Sequence, residues 1–106
     1  MGFLAKIIYV AGKFRGKTAY EIHCNVVKAE AVALELWRDG WVVFCPHLNT
    51  QNFQGELPDE VWLNGCIEIL MRCDAIYMME GYEQSVGALA ELEIAEELDL
   101  EVIYES

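Results

Sequence analysis

Ser85, Gly87, Ala88 and Glu91 fall in a segment, Ser85 to Leu98, whose residue types fit a helix opening on a serine cap. Successive helical residues stand ~100° apart around the axis. That spacing puts Gly87, Ala88, Ile94, Ala95 and Leu98 within ~60° of Glu91 and sends Glu93, Glu96 and Glu97 to the opposite side. Glu91 is therefore the carboxylate on the packed stripe. Burying an ionised carboxylate is costly unless something offsets it, so Glu91 is the first candidate for chemistry, with a raised or poised pKa. A glutamate at the edge of the stripe, paired with a lysine, would account for the same spacing without chemistry. Val86, Leu89 and Leu92 make the remaining faces of this helix apolar as well, which predicts a second burial partner beyond its own sheet, such as a homodimer. Gly87 and Ala88 would let a ligand or a neighbouring backbone come close.

Other candidates lie in loops: Gly12, Lys13, Arg15 and Gly16 in one, His47, Asn49 and Asn52 in a second, Tyr82 and Ser85 in a third. The elements between them put all three at one place. Lys6 to Ala11 is β-branched and aromatic and ends in glycine, a first strand buried on both faces. From Thr18 the pattern turns helical, with Glu21 completing a capping box and Ile22, Val26, Ala29, Ala33 and Leu36 at helical spacing, until Asp39-Gly40 ends it. Trp41 to Cys45 is a second strand stopped by Pro46, and Pro46 to Leu57 reads as a polar, irregular connection of the kind that often carries function. Pro58-Asp59 opens a second helix to about Arg72, Asp74 to Met79 is a third strand, Glu80 to Gln84 a turn, and Glu101 to Tyr104 a closing strand. The order β-α-β-α-β-α-β predicts a single α/β domain over residues 1–106, a flavodoxin/Rossmann-like three-layer sandwich with a mostly parallel four- or five-stranded sheet. In such sheets ligands bind beyond the carboxyl ends of the strands, where all three loops lie. Ordinary solvated loops remain the alternative for any one of them.

Composition narrows the partners. With 106 residues and 55% hydrophobic content, the chain can bury one core. Nothing approaches the ~18 consecutive apolar residues of a membrane span, and Met1-Gly2-Phe3-Leu4 lacks a basic leader region, so a cytoplasmic location without membrane contact is expected. The four cysteines, Cys24, Cys45, Cys66 and Cys73, are widely spaced and read as reduced, mostly buried thiols, with no metal site expected. A net charge of −11 argues against duplex nucleic acid. Lys13, Arg15 and Lys17 nevertheless make one local positive spot that could receive a small anion. Ala11 to Thr18, A-G-K-F-R-G-K-T, also fits a relaxed P-loop, although Ala11 stands where the strict pattern has glycine and Lys13, Phe14 and Arg15 fill the loop.

Taken together, Ile8-Tyr9-Val10-Ala11-Gly12, Asp74-Ala75-Ile76-Tyr77 and Gly81-Tyr82-Glu83-Gln84-Ser85-Val86-Gly87-Ala88 with Glu91 resemble the nucleoside 2-deoxyribosyltransferase superfamily over nearly the whole chain. The likeness is greatest to its small, often phage-encoded branch, a domain of unknown function, and extends to the deoxynucleoside monophosphate N-glycosidases. The most specific motif is S-x-G-A-x-x-E. The resemblance implies that Glu91 is a nucleophile attacking the anomeric carbon of deoxyribose, giving a glycosyl-enzyme resolved by a second base or by water. A carboxylate suits that role, because it stabilises an oxocarbenium-like transition state and forms a displaceable ester. It further implies that Tyr9 lies near the sugar, that Gly12, Arg15 and Ser85 hold phosphate, and that no cofactor is needed. Relatives usually carry an Arg-Asp pair early in the second helix, whose aspartate positions the sugar or protonates the leaving base. Gly65-Cys66 stands there instead, so Asp59 or Asp74 would have to substitute, or catalysis would be weak or absent. Three readings follow: N-glycosidic cleavage or deoxyribosyl transfer, a non-catalytic nucleotide or nucleotide-sugar binding module, and a P-loop phosphohydrolase.

Overall fold

The computed structural model of the chain describes residues 5–50, 52–53 and 55–106. The segment Met1 to Leu4, on which the reading against a leader rests, lies outside the described residues, as do Gln51 and Gln54. Four strands, β1 (Ile7–Ala11), β2 (Val42–Phe44), β3 (Ala75–Met78) and β4 (Glu101–Tyr104), form a wholly parallel sheet in the order β2-β1-β3-β4. The helices are α1 (Ala19–Arg38), α2 (Pro46–Asn49), α3 (Asp59–Leu70) and α4 (Val86–Glu97), with a 3-10 turn at Tyr82–Gln84. The predicted α/β order holds, and the sheet has four strands.

Alternation along the strands sorts side chains between two cores. Ile8 and Val10 join Ala75, Met79 and Cys45 under α1, which contributes Ala29, Ala33 and Leu36. Tyr9 and Ala11 point the other way, joining Ile76 and Met78 under α3 and α4, which contribute Leu70, Ala88 and Ala95. Helices on opposite faces are what right-handed crossovers require when one connection runs from β1 out to β2 and another from β3 out to β4.

The helix ends form for the expected reasons. The Thr18 hydroxyl accepts the Glu21 N–H at 3.1 Å, while the Glu21 carboxylate reaches back to the Lys17 N–H at 2.9 Å, closing the predicted box one residue early. Gly40, with φ of 98°, turns the chain after α1 in a conformation that a side chain would strain. The connection after β2 departs from expectation: Pro46, whose fixed φ suits a first helical position, starts the short helix α2. Its burial of His47 explains the difference, since one turn of helix satisfies backbone groups that an irregular segment would leave unpaired there.

β1 and β3 are neighbours whose onward connections leave in opposite directions, so the strand order reverses between them. At their carboxyl ends the Met79 N–H donates to the Ala11 carbonyl at 2.9 Å. Gly12 sits against that junction; a Cβ there would stand 2.7 Å from Met79 Sδ, so the close approach requires glycine.

Candidate active site

β1 presents Tyr9 to the α3/α4 face, α4 brings Glu91 onto the same face, and the Tyr9 hydroxyl donates a short hydrogen bond to Glu91 Oε2, joining residues far apart in sequence. Tyr9 is fully buried, with the Phe44 ring 5.6 Å away in a tilted stack, so its phenol has one well-defined direction. Burial pushes the Glu91 carboxyl up to about 7, and the hydrogen bond from Tyr9 offsets this only in part. Burial first, and the Glu91 charge second, hold the Tyr9 phenol protonated far above its usual range. The carboxylate on the packed stripe of α4 is thus a partly buried side chain whose partner is a tyrosine.

The third member of this group is Cys66 of α3. Its thiol borders the Tyr9 hydroxyl and feels the Glu91 charge, and burial raises its pKa, so it stays a neutral thiol. The position that the sequence marks as a departure from the usual aspartate is therefore in contact with the tyrosine of this pair. Asp74 cannot stand in for that aspartate, because its carboxylate accepts the Ile7 N–H at 2.7 Å at the amino end of the sheet. Asp59, at the start of α3, pairs with Arg15 at 2.8 Å.

The loop candidates divide. Lys13 and Arg15 are exposed beside Gly12 and Gly16, and Asn25 of α1 fixes this loop by donating to the Phe14 and Arg15 carbonyls at 3.1 and 3.3 Å. Gly16 packs so that a Cβ would fall 2.6 Å from Glu21 Cβ, which makes it a cap-packing residue. Ser85 caps α4, its hydroxyl accepting the Ala88 N–H at 3.1 Å. Tyr82 stacks on Tyr104 with ring centres 5.7 Å apart. A Cβ added at Gly87 would meet Ser85 Oγ at 3.9 Å, an ordinary contact, so nothing among the described residues requires its small size.

His47 is buried beside the loop after β1. It is 4% exposed, its Nε2 lies 3.2 Å from the Lys13 carbonyl, and the Phe14 ring packs edge-on against it. Burial lowers its pKa, so it is a neutral tie between α2 and the loop after β1. Asn49 and Asn52 are exposed. Asn49 borders a groove of about 250 Å³ on the α1 side, lined also by Trp37, Val43 and Leu48; Tyr9, Cys66 and Glu91 take no part in its walls. Two of the four free thiols, Cys45 and Cys73, are buried, and desolvation pushes each up to about 11. No helix among the described residues is long and apolar enough to cross a membrane.

Comparisons with known proteins bear on this arrangement. The fold is similar to that of a 2-deoxyribosyltransferase from Leishmania mexicana, with a TM-score of 0.68 and 21% identity over 93% of this chain and 63% of that one. It is likewise similar to a 2-deoxyribosyltransferase from Bacillus psychrosaccharolyticus, with a TM-score of 0.63 and 24% identity over 92% of this chain and 70% of that one. The chain therefore spans less than two thirds of the Leishmania enzyme's length. No curated protein matches the sequence. The family described as DUF4406, a domain of unknown function, matches residues 6–104, and the chain belongs to that family.

Proposed function

We propose that this protein breaks or exchanges the N-glycosidic bond of a 2-deoxynucleoside or its 5′-monophosphate, with Glu91 as nucleophile. The observation that carries this reading is the hydrogen bond from the buried Tyr9 to the partly buried Glu91 on the sheet's α3/α4 face. A fold shared with two enzymes named 2-deoxyribosyltransferases supports it. Tyr9 engages Glu91 Oε2 and so orients the carboxylate, leaving Oε1 outside that bond to attack the anomeric carbon. The carbon–nitrogen bond breaks as the carbon–oxygen ester forms; its electron pair leaves with the base, which takes up a proton. Water or a second base then displaces the ester and regenerates the carboxylate. Gly12, Lys13, Arg15, Gly16, His47, Asn49, Tyr82, Ser85 and Gly87 are the residues assigned to ligand binding. A cytoplasmic location and a second copy of the chain, seated on the exposed Val86 and Leu89 of α4, complete the reading.

A binding module without turnover is the second reading, and Cys66 favours it, because a neutral thiol is a poor proton donor to a departing base. The phosphohydrolase reading loses ground, since the Thr18 hydroxyl is engaged in capping α1. The test is to incubate the protein with deoxynucleosides and their monophosphates, follow free base by chromatography, and run Glu91→Ala in parallel. Base release that the substitution leaves unchanged would sink the nucleophile assignment. Monophosphates that raise the melting temperature without releasing base would favour the binding module, and magnesium-dependent phosphate release from a triphosphate would favour the phosphohydrolase.

A further inference from the structure

α1 carries a second apolar stripe on the side away from the sheet. Tyr20, Cys24, Val27, Ala31 and Leu34 follow one another at alternating steps of four and three residues. At ~100° per residue they span an arc of ~80°, centred ~180° from Ala29, Ala33 and Leu36, which face the core. Burial agrees with this geometry: Tyr20, Val27 and Leu34 are 74%, 47% and 49% exposed, Ala31 is exposed and Cys24 half-buried. The stripe has the period of a coiled-coil seam, on a helix about 30 Å long that presents it to solvent.

Charged residues line the seam on both edges. Glu21, Lys28 and Glu35 follow one edge, His23 and Glu30 the other, and all five are exposed. When two copies of α1 lie antiparallel, with Cys24 of each against Val27 of the other, Tyr20 falls opposite Ala31, so large side chains meet small ones. In that register Glu21 lies beside Lys28 of the second copy and His23 beside its Glu30, and each contact occurs twice by symmetry. Shifting one copy by a heptad sets Lys28 against Lys28, Glu21 against Glu35 and Glu30 against Glu30. A parallel pairing sets His23 against Lys28 and Glu30 against Glu35. The order of charges therefore favours one orientation and one register. Leu34, toward each end of the seam, meets the aliphatic stem of the second copy's Lys17. The sheet already holds α1 as a helix, so pairing orders no backbone, the cost that leaves so short a seam marginal in an isolated peptide.

We infer that the outward face of α1 is a docking surface for a second copy of this chain, paired antiparallel about a two-fold axis near Cys24 and Val27. α1 and α4 cover opposite faces of the sheet, so this contact is separate from the seat proposed on Val86 and Leu89. It is also independent of the reading of Glu91 as nucleophile.

The experiment is sedimentation equilibrium of the intact protein over about 1–100 µM, in wild type and variants, with circular dichroism to confirm folding. The wild type should associate, and so should Val86→Ser/Leu89→Ser, which isolates the α1 contact. Val27→Asp, at a position exposed in the single copy, should weaken association by about 100-fold without unfolding the chain. Lys28→Glu should weaken it by about tenfold, and Glu21→Lys/Lys28→Glu should restore it to within about threefold, a rescue that a merely structural role would not give. Glu21 also closes the cap of α1, so His23→Lys serves where the double variant does not fold. A lysine there should tighten the antiparallel pair by about threefold, whereas beside Lys28 in a parallel pair it would loosen it. A wild type that stays monomeric to about 100 µM, or association unmoved by Val27→Asp, would overturn the inference. Association of that second kind, lost instead in Val86→Ser/Leu89→Ser, would leave the α4 seat standing alone. Weakening by His23→Lys, or no rescue in a folded double variant, would overturn the antiparallel register.

Discussion

The two faces of the sheet are built from the same strands and differ in what they bury. Under α1, β1 contributes Ile8 and Val10, and the core is completed by alanines, Leu36, Cys45 and Met79. Under α3 and α4, the same strand contributes Tyr9, which meets Glu91 and Cys66. The first face is mostly apolar and the polar group at its edge, His47, stays neutral, whereas the other sets the desolvation of a carboxylate against its apolar contacts. The first face fixes the fold, and the second holds a carboxylate in a state that folding alone does not favour. A protein selected only for stability would have no reason to keep Glu91 where burial pushes it to about 7.

Paired substitutions distinguish the two faces by the largest expected effects. Glu91→Ala should reduce base release by about a thousandfold, equivalent to about 4 kcal/mol of transition-state stabilisation, with little loss of stability. Ile8→Ala should do the reverse, costing about 3 kcal/mol in urea unfolding while turnover per folded molecule stays within about twofold. If Ile8→Ala abolished turnover in fully folded protein, the division of labour between the faces would be wrong.

Their dependence on pH should differ as well. A carboxyl raised in the folded state to about 7 keeps its proton after the unfolded chain has released the equivalent one. The stability it contributes is present below the unfolded value and is lost as pH rises through about 7. Glu91→Gln removes that dependence. Its stability relative to wild type should therefore be near zero at pH 5 and favourable at pH 8, by up to about 3 kcal/mol. Urea titrations of both proteins at the two pH values check this. Wild-type base release should rise as pH crosses about 7, because the attacking carboxylate must be ionised. Tyr9→Phe removes the hydrogen bond that holds the Glu91 pKa down, so its activity profile should move to higher pH, with about a 30-fold loss at neutral pH. An unchanged pH midpoint in that variant would show that Tyr9 and Glu91 do not act together.

Much of the fold was legible because it rests on local rules. The stripe Ala29, Ala33 and Leu36, the Thr18 and Ser85 caps and the closing strand at Glu101–Tyr104 are all found where periodicity and capping chemistry place them. Glu91 was legible for the same reason, as one carboxylate out of phase with its neighbours on the wheel. The short helix α2 was not, because four residues carry no period, and the polar character of His47 and Asn49 resembles that of a loop. The interior place of His47 depends on its contact with Lys13, across 34 residues, which spacing cannot reveal. In the sequence Cys66 marks only the absence of an aspartate, since nothing there shows that α3 lays its thiol beside β1. The Arg15–Asp59 bridge was likewise invisible, although each residue separately was a candidate.

The smallest effect expected is a gain, and it turns on Cys66. Its thiol is neutral and donates weakly, so it behaves in this group more like the apolar side chains of the opposite face than like Tyr9 or Glu91. Cys66→Asp would place a second carboxyl beside Glu91 and Tyr9. Two acids so close cannot both ionise readily, so one retains its proton near neutrality. If the introduced carboxyl is the one that does, it can protonate the departing base, a step for which the thiol is poorly suited. The gain is limited by the cost of burying a further polar group on this face, so base release should increase by about fivefold while stability falls by about 1 kcal/mol. Cys66→Ser, neutral and similar in size, should leave turnover within about twofold and separates loss of the thiol from gain of an acid. An increase with serine equal to that with aspartate would assign the effect to packing around Tyr9 instead of proton transfer. The chemical face would then be limited by how well it holds its tyrosine, and the contrast between the two faces would be one of rigidity before it was one of charge.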